Sequence, residues 1–338
     1  MNSDDFSALR NYLSEPRKLV ITTHRSPDGD AIGSSLGLYL ALHKMGHEVA
    51  VIVPDEFPAF LAWMSGAESV LVYESAPSKA LPVLRAAEMI FCLDYNAYHR
   101  TGELGLHLER ANVPKVLIDH HQSPDDFAAY LLSDTSASST AQLIYEFMEG
   151  MEMLQLLDRE IAECLYSGLV TDTGSFRFNS TSERTHYIAA QLMKTGMENH
   201  LVHQRLFDNN SINRLRLLGF CLSEKLVVLP EYRTAYIALT KSELKRFNYK
   251  KGDTEGIVNY ALSLQNIVFA AFITEREREI RLSFRSKDGW DVNRFARAYF
   301  NGGGHIHAAG GAAQISLAAT LEKLEGHLAE HQSELQNA

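Results

Sequence analysis

The first half of the chain alternates short, unbroken apolar runs with longer helical patterns, and this alternation limits the fold more than any other feature. Residues 18–23, 48–53, 89–93 and 115–118 are too short for buried helices. They read as strands covered on both faces. Residues 31–45 carry helical spacing, and Gly46 follows them as the residue that ends the helix. Strands separated by helices imply a mostly parallel sheet in an α/β domain. His24, Asp94 and the run Asp119-His120-His121 each follow an apolar run, so all five belong at the carboxyl edge of that sheet.

From about residue 182 to 224 the pattern is helical without a strand signal, after which the grammar changes. Runs 225–229, 234–239, 267–273 and 279–284 read as strands, the last two as a hairpin around the polar stretch 274–278. Helices are expected near 291–299 and 317–330. The division that follows is an N-terminal domain over 1–182, a helical connector over 183–224 and a smaller mixed-sheet α/β domain over 225–338. With 338 residues and 46% hydrophobic side chains the chain can fill two cores.

Composition narrows the function. No apolar run approaches a membrane span, and the aspartates of the N-terminus stand where a secretory signal carries basic residues, so no membrane association and a cytoplasmic location are expected. Cys92, Cys164 and Cys221 lie far apart in apolar stretches and read as buried, reduced thiols. A net charge of −10 counts against a stable complex with long nucleic acid, which draws on a basic surface. A small anion needs only one local positive site.

Three hard metal ligands, His24, Asp28 and Asp30, fall within one short stretch in which Pro27 and Gly29 favour a sharp turn. The competing explanation is helix capping, with Asp30 at the N-cap. Adjacent histidines beside Asp119 are hard to justify by packing, although a solvated loop would also accept them. Asp94 and Asp172, each after an apolar stretch, are ordinary turn chemistry when taken singly. Together, Asp28, Asp30, Asp94 and Asp172 bring four negative charges to one cleft, and close carboxylates oppose one another's ionisation unless cations balance them. Two divalent ions would do so. Oxygen ligands with a few imidazoles and no thiolate favour Mn²⁺, with Mg²⁺ as the alternative, over structural zinc. Two such ions roughly 3.5–4 Å apart activate a water and clamp phosphate oxygens for in-line displacement.

These motifs, in this order, resemble the DHH phosphoesterases, named for the Asp-His-His run present here as Asp119-His120-His121. His24, Pro27, Asp28 and Asp30 correspond to the first motif, Asp94 to the second and Asp172-Thr173-Gly174 to the fourth. The resemblance implies one metal on His24, Asp28 and Asp94, and a second on Asp30, Asp94, His120 and Asp172, with Asp94 shared. It implies that Asp119 supports the site from behind and that His121 faces the substrate phosphate. Phe284-Arg285-Ser286 and the run Asn301-Gly302-Gly303-Gly304-His305, followed by Ala308-Ala309-Gly310, are similar to the DHH-associated domain. Glycine N–H groups with Arg285 and His305 would then hold a phosphate, against the plainer reading of a flexible loop. Asn301 departs from the glycine common there, but asparagine tolerates a left-handed backbone. His307 has no assigned role, and residues 136–140 read as a helix N-terminus.

The two-domain layout resembles the branch of the family that degrades very short RNA oligonucleotides to mononucleotides and removes the 3′-phosphate of pAp, with 3′-to-5′ polarity and a homodimer also implied. Such a protein would seat one phosphate on the metals and another against Arg285 and His305, which favours short substrates. Other expectations are a cyclic-dinucleotide or linear dinucleotide phosphodiesterase, an inorganic pyrophosphatase, a long-strand exonuclease, or a non-catalytic nucleotide sensor.

Overall fold

The computed structural model describes residues 1–287 and 289–338, and the chain divides into two compact units, Met1–Asn209 and Asn210–Ala338. In the first unit, strands β1 (Lys18–Thr22), β2 (Glu48–Val53), β3 (Leu71–Val72), β4 (Met89–Leu93), β5 (Lys115–Asp119) and β6 (Tyr130–Ser133) form one sheet in the order β3-β2-β1-β4-β5-β6. Every pairing is parallel. The helices are α1 (Ser3–Tyr12), α2 (Gly29–Lys44), α3 (Pro77–Ala86), α4 (Leu104–Arg110), α5 (Thr140–Gly150), α6 (Arg159–Asp172), α7 (Glu183–Met193) and α8 (Asn199–Phe207).

Successive strand residues point to opposite faces, and both faces are buried. Leu19, Ile21, Phe91, Leu93, Val116 and Ile118 pack into one core with α1, α2, α5 and α6. Val20, Ile90, Cys92 and Leu117 enter another that includes Ala80 and Leu84 of α3 and Leu104 and Leu108 of α4. The doubly covered sheet explains why these strands read as unbroken apolar runs. The chain moves outward from β1 to β3 and then returns to β4 on the other side of β1. That reversal opens a crevice beyond the carboxyl ends of β1 and β4, where ligands bind in open α/β sheets.

Helices α2 and α6 set the shape of the crevice. Gly29, Gly33 and Gly37 lie along one face of α2, and added Cβ atoms at these positions would meet Thr171 at 2.5 Å, the Cys164 carbonyl oxygen at 2.4 Å and Leu165 at 2.5 Å. The absence of side chains lets the two backbones touch. The approach places Asp30, in the first turn of α2, near Asp172, the last residue of α6.

The second unit is built on β7 (Leu226–Leu229), β8 (Thr234–Leu239), β9 (Phe269–Glu275), β10 (Ile280–Ser286), β11 (Gly303–Gly304) and β12 (Ala308–Ala313), in the order β11-β12-β10-β9-β8-β7. Among the described residues of this unit only β8 and β9 pair in parallel; β9 and β10 form the expected hairpin. Its helices are α9 (Ile212–Phe220), α10 (Lys241–Arg246), α11 (Ile257–Leu262), α12 (Val292–Tyr299), α13 (Leu317–Glu330) and α14 (Gln332–Asn337). One face of the sheet buries Phe269, Phe284, Phe295 and Phe300, and the other buries Ile237, Leu239 and Phe272.

The fold is therefore α/β, with a parallel sheet in one unit and a mixed sheet in the other. Residues 183–224 are helical, but their helices belong to the cores of the units: Ile188, Leu192, Val202 and Leu206 are buried in the first, Leu217 and Cys221 in the second. The three cysteines are buried and unpaired. Among the described residues, no helix is long and apolar enough to cross a membrane.

Candidate active site at the carboxyl edge of the parallel sheet

Each candidate ligand is held by a separate piece of local structure. His24 follows β1 and is buried; its Nδ1 pairs with the Arg25 carbonyl at 2.9 Å, which turns Nε2 towards Asp94 Oδ2 at 3.3 Å and Asp28 Oδ1 at 3.9 Å. Asp28 is the N-cap of α2, its Oδ1 accepting from the N–H groups of Asp30 and Ala31, both at 3.0 Å. The cap thus falls on Asp28, two residues before the position expected from the sequence. The turn-forming Gly29 is itself the first helical residue.

That shift frees Asp30 for a different partner. Its two carboxylate oxygens accept from the backbone N–H groups of Thr140 (2.6 Å) and Ala141 (2.8 Å), at the positive end of α5. Asp94, just past β4, adopts the left-handed region with φ 63°, a strained conformation held here by the surrounding bonds. Thr140 Oγ1 donates to Asp94 Oδ1 at 3.0 Å. His120 pairs through Nδ1 with the Ala137 carbonyl at 3.2 Å and sets Nε2 3.4 Å from Asp172, 3.6 Å from Asp94 and 3.8 Å from Asp30. His121 donates from Nδ1 to Asp119 Oδ1 at 2.7 Å, and Asp119 is fully buried with its second oxygen unpartnered.

The ionisable groups of the cluster act strongly on one another. Burial and the repulsion of Asp94, Asp172 and Asp28 hold the Asp30 carboxyl well above the usual range, despite its two amide donors. Burial pushes against charge at His24 as well, but the hydrogen bond to Asp94 and the field of Asp28 and Asp94 win, raising its pKa to about 9. Asp94 moves the other way, burial being outweighed by its bond to His24 and the neighbouring histidines. Burial, with the nearby Arg100 and the neighbouring histidines, drives the His121 imidazole well below its ordinary value. A pocket of carboxylates whose members oppose one another's ionisation calls for added positive charge.

Two ligand triads could supply a place for it. One ligand atom from each of His24, Asp28 and Asp94 lies within 4.8 Å of the others, and the same holds for Asp30, His120 and Asp172. A further set, Asp94, Asp119 and His121, includes Asp94 again. Hard oxygens and imidazoles without thiolate suit a divalent cation, so the residues fit such a group.

The C-terminal candidates have a different basis. Arg285 lies on β10 opposite Ala308 of β12, with its Nη1 donating to the Phe284 carbonyl at 2.9 Å. Gly303 and Gly304 pair with Gly310 and Ala309 as strand β11, so the run expected as a loop is partly a strand. A Cβ at Gly302 would lie 1.9 Å from the Gly310 carbonyl oxygen, and one at Gly304 2.4 Å from that of Ala308. The glycines are required by this backbone approach. Asn301 is left-handed, with φ 47°. His305 follows β11 directly, and its backbone N–H donates to the Ala308 carbonyl at 2.7 Å; His307 accepts from or donates to Ser286 through Nδ1 at 3.1 Å.

Sequence reasoning missed Thr140 and Ala141. Residues 136–140 were legible as a helix start, but the contact of that start with Asp30, across more than a hundred residues of chain, was not.

Carboxylates and imidazoles gathered over the strand ends of a doubly covered sheet form a site suited to divalent cations. Residues 18–169 match the DHH family N-terminal domain and residues 233–331 the DHHA1 domain. The bifunctional oligoribonuclease and PAP phosphatase NrnA of Bacillus subtilis is 31% identical over 296 residues, covering 86% of this chain and 88% of that protein. NrnA of Thermus thermophilus is also 31% identical, over 86% of this chain and 83% of its own. The crystal structure of an exopolyphosphatase-related protein from Bacteroides fragilis superposes with a TM-score of 0.93 and 37% identity, covering 99% of this chain and 98% of that one. The chain belongs to the DHH family, as a phosphoesterase.

Proposed function

We propose that this phosphoesterase hydrolyses very short RNA oligonucleotides to mononucleotides and removes the 3′-phosphate of pAp, as a cytoplasmic enzyme. The observation that carries the reading is the pair of ligand triads, His24/Asp28/Asp94 and Asp30/His120/Asp172, clustered at the carboxyl edge of the parallel sheet. The substrate class draws support from the two NrnA relatives, each 31% identical over most of the chain.

In this reading His24, Asp28 and Asp94 hold one divalent cation, and Asp30, Asp94, His120 and Asp172 hold a second, Mn²⁺ before Mg²⁺. When bound, the pair supplies Lewis-acid charge to the phosphate and a water acidified towards neutral pH. The protein's own groups do the rest. Thr140 fixes Asp94 by its hydroxyl, and the amides at the start of α5 hold Asp30 so that it cannot swing away from Asp172. Asp119 keeps the Nδ1–H of His121 occupied and turns Nε2 towards the substrate, where that nitrogen donates to the phosphate or to the departing oxygen once it carries a proton. In the second unit, Arg285 and His305 bind a phosphate by charge-assisted hydrogen bonds, while the N–H groups of Gly302 and Gly304 are spent within the fold on the Ala296 carbonyl and on Asn293 Oδ1. Residues 1–182 are thus the catalytic segment and 225–338 the substrate-binding one.

The test is a panel of pAp, RNA of two to about five nucleotides, longer RNA, cyclic di-AMP and pyrophosphate, each with Mn²⁺ and Mg²⁺. Turnover of pAp and dinucleotides well above the others is expected. A strong preference for pyrophosphate or for long RNA would overturn the assignment.

A further inference from the structure

Arg100 is a cation beside the carboxylate cluster that the roles above leave unused. The backbone turns at Asp94 and runs through Asn96, whose Nδ2 donates to the Gln122 carbonyl at 2.6 Å, into the 3-10 turn Tyr98–Thr101. The Arg100 carbonyl then accepts from the N–H of Arg25 at 2.7 Å, next in sequence to His24. Arg100 is therefore pinned between the segments that carry His24, Asp94 and His121. After burial, its positive charge is among the influences on His24, Asp119 and His121 alike, which places the guanidinium within electrostatic reach of all three.

A guanidinium so close to carboxylates would ordinarily pair with one. Arg25 does so, reaching Glu74 at 3.6 Å. The Arg100 guanidinium, half-buried, has no hydrogen bond or ion pair among the described residues. Asp30 is engaged by the α5 amides, Asp94 by Thr140 and His24, and one oxygen of Asp119 by His121. Five N–H donors in a planar fork are left beside a site built for phosphate chemistry, and a phosphate presents two oxygens that match the fork.

We propose that Arg100 is a phosphate-binding residue of this site, its guanidinium taking two non-bridging oxygens of the phosphate that is cleaved. The inference rests on the phosphoesterase reading and adds to it a protein-borne positive charge on the reacting group. In this position Arg100 holds the phosphate before attack and meets the charge that grows on its oxygens.

The test uses the full chain loaded with Mn²⁺, as wild type, Arg100→Gln and Arg100→Lys, with three readouts: bound Mn²⁺ per chain, affinity for inorganic phosphate by calorimetry, and kcat and KM for pAp. For Arg100→Gln, phosphate affinity and kcat/KM should each fall about 10- to 100-fold, the scale of losing hydrogen bonds to a charged partner, with bound Mn²⁺ unchanged. Arg100→Lys keeps the charge but not the fork, and should weaken phosphate binding by about fivefold or more. Phosphate affinity within about twofold of wild type in both variants would overturn the proposal, as would loss of Mn²⁺ from either, which would make Arg100 a support of the ligand cluster. If Arg100→Gln does not fold, the lysine variant decides alone by the same criteria. Phosphate binding that depends on Arg100 in a protein without esterase activity would sustain this inference and sink the functional reading. Esterase activity indifferent to Arg100 would do the reverse.

Discussion

The carboxylate cluster of the first unit and the glycine run of the second are the two most conspicuous sequence features, and they have opposite physical explanations. Nothing in packing repays the burial of Asp30, Asp94, Asp119, His120 and His121 together. Mutual hydrogen bonds meet part of their cost, and a bound cation would meet more of it. Gly302 and Gly304, by contrast, are fully accounted for by the close approach of β11 to β12. A polar cluster that the fold cannot explain points to chemistry. A glycine run that the fold does explain leaves its chemistry to be shown by Arg285 and His305.

The contrast breaks most sharply at Asp94. Asp94→Asn should reduce kcat by about a thousandfold or more, since Asp94 belongs to one ligand triad and stands 3.6 Å from His120 of the other, on the scale of losing a main transition-state contact. Dialysis against a chelator should silence the wild type similarly, with Mn²⁺ restoring it. Full turnover after chelation would show that the cluster needs no metal.

Gly302→Ala asks whether the second feature is structural. With a Cβ at 1.9 Å from a carbonyl oxygen, the strand pair must part, at a cost of about 2–3 kcal/mol of unfolding free energy. Calorimetry should show the loss in the transition of the second unit while Mn²⁺ binding stays at the wild-type level. A variant as stable as wild type would reopen the reading of a loop shaped for an anion alone.

Smaller effects refine the comparison. Thr140→Val removes the hydroxyl that donates to Asp94 and should weaken Mn²⁺ affinity by about tenfold, the usual cost of losing a partner behind a metal ligand, as read by Mn²⁺ titration. Arg285→Ala should raise KM for pAp by about tenfold with kcat changed little, because it removes binding shared by ground and transition states. A fall in kcat with KM preserved would move Arg285 from substrate grip to the chemical step.

Much of this was open to reading along the chain. The strands β1, β2, β4 and β5 announced themselves because burial on both faces leaves no polar alternation to blur them, and Gly46, left-handed with φ 90°, marked the end of α2 as expected. The short β3 and the edge strand β6, half-exposed and brief, gave too little pattern to detect. The N-cap was misplaced by two residues because Asp28 and Asp30 are both good capping residues, and only the helix direction separates them.

By itself, the sequence determined the α/β class, the parallel and mixed sheets, and the residues with the chemistry to bind metal, because periodicity and ligand type are local properties of the chain. Tertiary structure alone decided which of them meet. The glycine face of α2 lies against α6, bringing Asp30 to Asp172, and the start of α5 reaches back across the fold to hold Asp30 in place. Those contacts join residues far apart in the chain, and their geometry depends on backbone approach, which no local pattern of residues encodes.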